Sequence, residues 1–304
     1  MKLIGHQKQW ELLQKITKLG KIPHAFLFYG EEAIGKKKLA LEFIKLLDCQ
    51  SSSSRPCQDC RSCQDIEKNA SPDLVIVEPE EGEIKIGQIR ELHKKLALRS
   101  YAAPFKAAII NQAHCMNQEA QSAFLKLLEE PKGQTILILV SEYPEALLPT
   151  ILSRLETLKV SPLLDTEIED YLKSQKVPVE KIKQLIFLAS GKPGRVIAFL
   201  GDPAKQAEYE KLIKEIGDLG NLDLAERFRY AEKLTKDQGD LKEVLDIWLG
   251  YFRGLLLSSV KNPSKEYPTI KLQRILKLTQ SISQLISTTN INSRLALEVL
   301  MLEL

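Results

Sequence analysis

Ala25-Phe26-Leu27-Phe28-Tyr29-Gly30-Glu31-Glu32-Ala33-Ile34-Gly35-Lys36-Lys37-Lys38-Leu39-Ala40-Leu41-Glu42-Phe43-Ile44 is an apolar run of strand length, a glycine-bounded loop and a segment with helical spacing. Gly30 to Lys36 satisfies GxxxxGK. Strand, loop and helix in that order is the context in which glycines let backbone N–H groups wrap a phosphate at a helix N-terminus. A chance match with Lys36-Lys37-Lys38 as a solvated helix start is the bland alternative, and the flanking pattern argues against it. The stretch predicts a P-loop-type α/β domain.

The same stretch departs from a working nucleotide site. Lys37 stands where the motif calls for the Ser or Thr hydroxyl that ligates Mg²⁺, and an ammonium there repels a divalent ion. Further along, the strand-like Ala107-Ala108-Ile109-Ile110 runs into Asn111-Gln112-Ala113-His114, where a nucleotide hydrolase carries an Asp-Glu pair. Asn111 and Gln112 have nearly the shape of those acids but neither the charge nor a basic oxygen. Metal anchoring and water activation are lost together, which argues against ATP or ADP binding in this pocket and against intrinsic ATPase activity.

Outward from the loop the α/β pattern continues. Asp73 to Val77, Ala107 to Ile110 and Thr135 to Val140 read as buried strands, and Ile84 to Leu98 and Asn117 to Glu130 as amphipathic helices. Strands alternating with helices predict a three-layer domain with a parallel sheet. Residues 161 to 200 carry apolar spacing compatible with a small helical lid, and from about Pro203 onward the patterning is helical only. Val244, Leu245, Trp248, Leu249, Phe252, Leu255 and Leu256 form an apolar face too broad for a simple surface helix, so it is either a bundle core or a subunit contact. Lys261 to Lys265 reads as a loop.

Cysteine spacing is the second strong signal. Cys49, Cys57, Cys60 and Cys63 form C-x7-C-x2-C-x2-C across the polar segment Gln50 to Pro56. Four thiolates so spaced can enclose a tetrahedral Zn²⁺ in a closed, structural site, with Cys49 from the end of the P-loop helix and the others from a knuckle. An iron–sulfur cluster, redox disulfides or ordinary buried thiols are the alternatives; the iron–sulfur reading fits less well, because the bacterial ferredoxin run is longer and ends in Cys-Pro. Cys115 stands apart as a small side chain.

Composition bounds the rest. The chain has 304 residues, 44% hydrophobic and 27% charged, with a net charge of +3, too mild to imply nucleic-acid binding by itself. Neither a signal peptide nor a run of membrane-spanning length is legible, so the expectation is a cytoplasmic protein without membrane partners.

Pro23-His24-Ala25-Phe26-Leu27-Phe28 before the loop, the four-Cys insert after its helix, Leu125-Lys126-Leu127-Leu128-Glu129-Glu130-Pro131, and Leu148-Pro149-Thr150-Ile151-Leu152-Ser153-Arg154 together resemble the bacterial clamp-loader branch of the AAA+ proteins. The resemblance covers essentially residues 1 to 200, and the missing acids are similar to those of a non-hydrolysing member. It implies an AAA+ P-loop-type parallel-sheet domain with the zinc knuckle over residues 1–160, a helical lid over 161–202 and a C-terminal helical bundle, or collar, over 203–304. Partners implied are gamma or tau ATPase subunits, a delta subunit, the beta sliding clamp and, through the complex, primed DNA within a polymerase holoenzyme.

Residue roles carry over by position. Arg154, in Ser153-Arg154-Leu155 where the family has Ser-Arg-Cys, would reach in trans to the ATP of a neighbouring subunit; a surface arginine at a helix end is the bland alternative. Gly191-Lys192-Pro193-Gly194-Arg195 resembles the second sensor segment, whose arginine faces the chain's own pocket. Arg195 would thus join Gly30, Gly35, Lys36 and Lys37 around the degenerate nucleotide or phosphate pocket, or serve only in packing. Ser141 resembles the first sensor position. Rival readings are an active gamma- or tau-like ATPase and a zinc-dependent nucleic-acid binding protein.

Overall fold

A computed structural model describes residues 3–51, 55–100, 103–131, 133–236, 241–261, 268–289 and 291–304. Residues 52–54 of the polar segment between the first two cysteines and residues 262–265 of the loop expected at 261–265 lie outside these residues. The chain divides into two compact units, Met1–Leu163 and Leu164–Leu304. Residues 164–202 of the expected lid and the whole expected collar fall in the second.

The first unit runs α1 (Gln7–Lys18), β1 (Ala25–Tyr29), α2 (Lys36–Asp48), α3 (Arg61–Glu67), β2 (Leu74–Val77), α4 (Ile86–Ala97), β3 (Lys106–Ile110), α5 (Gln118–Glu129), β4 (Thr135–Ser141), α6 (Pro149–Leu152) and β5 (Glu156–Lys159). All strand pairs are parallel, in the order β2-β3-β4-β1-β5. Alternation along the strands divides the core into two layers. Leu27, Ala108, Ile110, Leu137 and Leu139 face the helices α4 and α5 through Ile89, Leu92, Leu96, Phe124 and Leu128. Phe26, Phe28, Ala107, Ile109, Ile136 and Ile138 face α1, α2 and α3 through Leu13, Leu39, Phe43 and Ile66. Because both faces are covered, the central strands read as continuous apolar runs rather than alternating ones.

Parallel strands place their carboxyl ends on one side of the sheet, the side on which α/β folds bind ligands. The loop after β1, Glu78 after β2, Asn111 after β3 and Ser141 at the end of β4 are gathered there.

The second unit is helical: α7 (Asp165–Ser174), α8 (Val179–Ala189), α9 (Pro193–Gly201), α10 (Pro203–Leu219), α11 (Leu224–Lys236), α12 (Leu241–Lys261), α13 (Thr269–Thr288) and α14 (Ser293–Glu303). The broad apolar face of α12 is core: Leu245, Trp248 and Phe252 are buried with Leu272, Ile275, Leu297 and Leu300. No helix among the described residues is long and apolar enough to cross a membrane.

Candidate functional site

Gly30 takes φ +149, and a Cβ on it would lie 2.1 Å from the Val160 carbonyl oxygen, so only glycine fits where the loop leaves β1. Gly35 caps α2 at φ 95. Between them Ile34 is fully buried, and its carbonyl accepts a 2.6 Å hydrogen bond from the Nε2 of buried His6. His6 thereby ties the N-terminal segment to the loop. Lys36, itself buried, turns its ammonium onto the loop's own carbonyls, donating to Gly30 O at 2.8 Å and to Glu31 O.

The position of Lys37 explains how its charge is accommodated. Its Nζ lies 2.6 Å from Glu78 Oε1, and the other Glu78 oxygen accepts from Asn111 Nδ2 at 3.0 Å. Burial works against the Glu78 charge, but the hydrogen bonds from Lys37 and Asn111 outweigh it and hold the carboxyl below the usual range. One carboxylate thus joins the residue that replaces the motif hydroxyl to the residue that replaces the motif acid. A cation is supplied here by a side chain, and it carries its own counter-ion. Beside this cluster, buried Ser141 Oγ lies 3.3 Å from His114 Nδ1, and His114 packs edge-on to Tyr143 at 5.2 Å between ring centroids.

The four cysteines converge at the end of α2 and the start of α3. Cys49 is the C-cap of α2 and Cys60 the N-cap of α3. Their four sulfurs all lie within 4.8 Å of one another. Tetrahedral zinc with bonds of about 2.3 Å needs sulfurs about 3.8 Å apart, so small side-chain adjustments would close the set around an ion. Main-chain N–H groups already point at the sulfurs: Cys57 N donates to Cys49 Sγ at 3.4 Å and Cys60 N to Cys57 Sγ at 3.3 Å. Burial opposes the Cys60 thiolate, but main-chain hydrogen bonds at Cys63 and Gln50 outweigh it and bring this thiol down to about 6. Burial beside the other sulfurs pushes Cys63 up.

A buried charge cluster binds the knuckle to the P-loop helix. Lys45, fully buried on α2, is paired with Glu42 at 2.8 Å, with Glu67 at the end of α3, and with the Gln58 side chain at 3.0 Å. Lys38 holds Glu67 from the other side at 2.8 Å. Burial disfavours the Glu67 charge, yet hydrogen bonds from Lys38 and Lys45 bring its carboxyl down to about 2.

Arg154 lies just beyond the short helix α6. Its Nη1 donates to Thr150 O at 2.9 Å and its Nη2 to Glu129 Oε1 at 2.8 Å, and the side chain remains 39% exposed. In the second unit Arg195 is almost wholly buried. Its guanidinium and the Lys192 ammonium both pair with Asp246 of α12, and it lies over the Tyr209 ring at 5.2 Å. Burial opposes the Asp246 charge, and the two cations outweigh it, holding the carboxyl below the ordinary range. The structure thus brings together the loop residues with Asn111 and Ser141, and the four cysteines with one another. Within the second unit Arg195 pairs with Asp246 and lies over Tyr209.

Three participants carry no sequence motif. Glu78 follows a strand and lies in an acidic stretch, His6 is one histidine near the chain start, and Asp246 is one carboxylate on a long helix.

Comparison with known proteins agrees with this architecture. The profile of the family described as DNA polymerase III, delta subunit, matches residues 5–164. The chain is 37% identical over 167 residues to DNA polymerase III subunit delta' of Bacillus subtilis, covering 55% of this chain and 51% of that protein. It is 35% identical over 175 residues to the delta' subunit of Pseudomonas aeruginosa, 56% of this chain and 53% of that one. DNA polymerase III subunit tau of Bacillus subtilis is 26% identical over 282 residues, 84% of this chain and 49% of that protein. The chain thus spans about half the length of the curated relatives it matches. With more than half of its residues inside the family profile and a P-loop built around a lysine–carboxylate pair, the chain belongs to the delta-prime family of the bacterial DNA polymerase III clamp loader.

Proposed function

We propose that this chain is a non-hydrolysing clamp-loader subunit, built as a P-loop domain, a lid (161–202) and a collar (203–304). It assembles in the cytoplasm with gamma or tau ATPases and a delta subunit, and supports loading of the beta sliding clamp on primed DNA. The observation that carries this reading is the Lys37–Glu78–Asn111 bridge. A site whose hydroxyl and acid positions are tied to each other through a carboxylate offers Mg²⁺ neither an open ligand nor an activated water. The chain's contribution to ATP turnover then acts in trans, through Arg154, whose exposed guanidinium can meet charge developing on a neighbouring subunit's phosphates. A single Zn²⁺ held by Cys49, Cys57, Cys60 and Cys63 keeps the knuckle folded and plays no part in the chemistry.

The deciding experiment assembles the complete clamp loader with Arg154→Ala or Arg154→Lys in this chain. DNA-stimulated ATP hydrolysis should fall partially, because other sites in the complex still turn over. The lysine variant should be impaired nearly as much as alanine, since it keeps the charge but loses the planar fork. Unchanged ATPase and clamp-loading rates in a fully assembled Arg154→Ala complex would refute the trans role.

A further inference from the structure

Glu129 is the last residue of α5, in the Leu-Leu-Glu-Glu-Pro stretch that Pro131 terminates. A carboxylate is disfavoured at a helix C-terminus, where the dipole is already negative. The charge is answered across a separation of 25 residues by the Arg154 guanidinium, at 2.8 Å. Arg154 and Glu129 are 39% and 53% exposed, and ion pairs that open to water add little to stability. A geometric role accounts better for the pairing than a stabilising one.

A guanidinium has five N–H donors arranged along two usable edges. The two terminal nitrogens of Arg154 are engaged: Nη1 donates to Thr150 O at 2.9 Å and more weakly to Ser153 Oγ at 3.4 Å, while Nη2 donates to Glu129. Among the described residues no hydrogen bond from Nε is seen, so this donor remains for a phosphate oxygen. An arginine side chain left to itself samples many rotamers and loses that freedom when it engages a phosphate. Here α5 and α6 remove it beforehand.

We propose that Glu129 is a positioning residue for Arg154: its carboxylate fixes the guanidinium so that Nε is presented to a phosphate oxygen of a neighbouring subunit's nucleotide. This rests on the reading of Arg154 as a finger acting in trans. Because the gain lies in preorganisation, it belongs to the step in which charge develops, and it should show in kcat rather than in KM.

The test uses the assembled clamp loader carrying Glu129→Ala, Glu129→Gln, Arg154→Ala or the Glu129→Ala/Arg154→Ala pair, with assembly verified by native mass spectrometry. Glu129→Ala should lower DNA-stimulated kcat to a level between wild type and Arg154→Ala, at unchanged KM. Glu129→Gln, which keeps an acceptor oxygen at the same reach, should recover most of that loss. The double variant should match Arg154→Ala alone, since the two residues act as one device. A Glu129→Ala complex as fast as wild type or faster, a Gln variant as impaired as Ala, or an additive loss in the double variant would overturn the positioning role while leaving the finger intact. A silent Arg154→Ala would instead remove the finger, and this proposal with it.

Discussion

Lys37 shows how much one side chain can alter the chemistry of a P-loop scaffold. The loop still has the glycines of a phosphate loop, yet the Lys37 ammonium, Glu78 and Asn111 already satisfy one another. A prediction follows for the restored site Lys37→Thr, Asn111→Asp, Gln112→Glu. It would place a new carboxylate beside Glu78 with no ammonium to balance it, and like charges in contact destabilise each other unless a cation intervenes. The triple variant should melt below wild type without divalent ions and regain stability with Mg²⁺, whereas wild type should be indifferent. Thermal unfolding with and without Mg²⁺ measures this, and a triple variant insensitive to Mg²⁺ would show that the pocket cannot hold the ion at all.

At the scale of elements, α2 connects two sites. Its first turn carries Lys36 and Lys37, its buried face carries Lys45, and its C-cap is Cys49. The knuckle helix α3 returns to it through Glu67, held by Lys38 and Lys45. A depressed carboxyl contributes stability above its ordinary value of 4.5 and loses it as pH falls towards about 2, so at neutral pH the tether is at full strength. Glu67→Gln should therefore loosen α3 at neutral pH, with faster amide exchange in residues 61–67 and little change in the sheet. Protein purified without chelator should contain close to one zinc per chain, and its removal should melt the same segment. Less than about half an equivalent of zinc, with iron also absent, would exclude a filled four-thiolate site.

Across the whole molecule, the second unit depends on a buried lock. Lys192 and Arg195 share Asp246, Ser190 follows α8 at φ 50, and a Cβ at Gly250 would sit 2.6 Å from Ser190 Oγ. The segment resembling a nucleotide sensor is thereby joined to α12. Removing this carboxylate takes a shared counter-ion from two buried cations, a change of the kind that typically costs about 3–5 kcal/mol. Asp246→Asn should destabilise the second unit by that order at neutral pH. Because Asp246 is held below its ordinary 3.8, its contribution is complete above that value and fades as pH falls beneath it, so the deficit should shrink in acid. Urea unfolding followed by Trp248 in a Trp10→Phe background reads this unit alone. A deficit that is small, or as large at low pH as at neutral pH, would contradict the lock.

Local pattern made the α/β unit legible. β1 spans Ala25–Tyr29 as its apolar run indicates, α5 begins after Asn117, whose side chain caps Ala120 N at 2.8 Å, and the four cysteines meet as their spacing requires. These features are governed by neighbours in sequence: side-chain periodicity, capping and short ligand spacing. β5 left no such mark, because a four-residue edge strand buries one side chain and is held by pairing with β1. What depended on distant residues required the fold. Glu78 meets Lys37 and Asn111 only because parallel strands bring their carboxyl ends together, and Glu129 meets Arg154 only because α5 and α6 end side by side. Arg195 is the sharpest case: its segment resembles a sensor, and Asp246 on α12, distant in sequence, is what its charge meets within the second unit. Sequence by itself determined the elements and the loss of magnesium ligands, since those are properties of residue type and local spacing; tertiary structure alone decided the partner of each charge, since that depends on which chain-distant groups share a desolvated site.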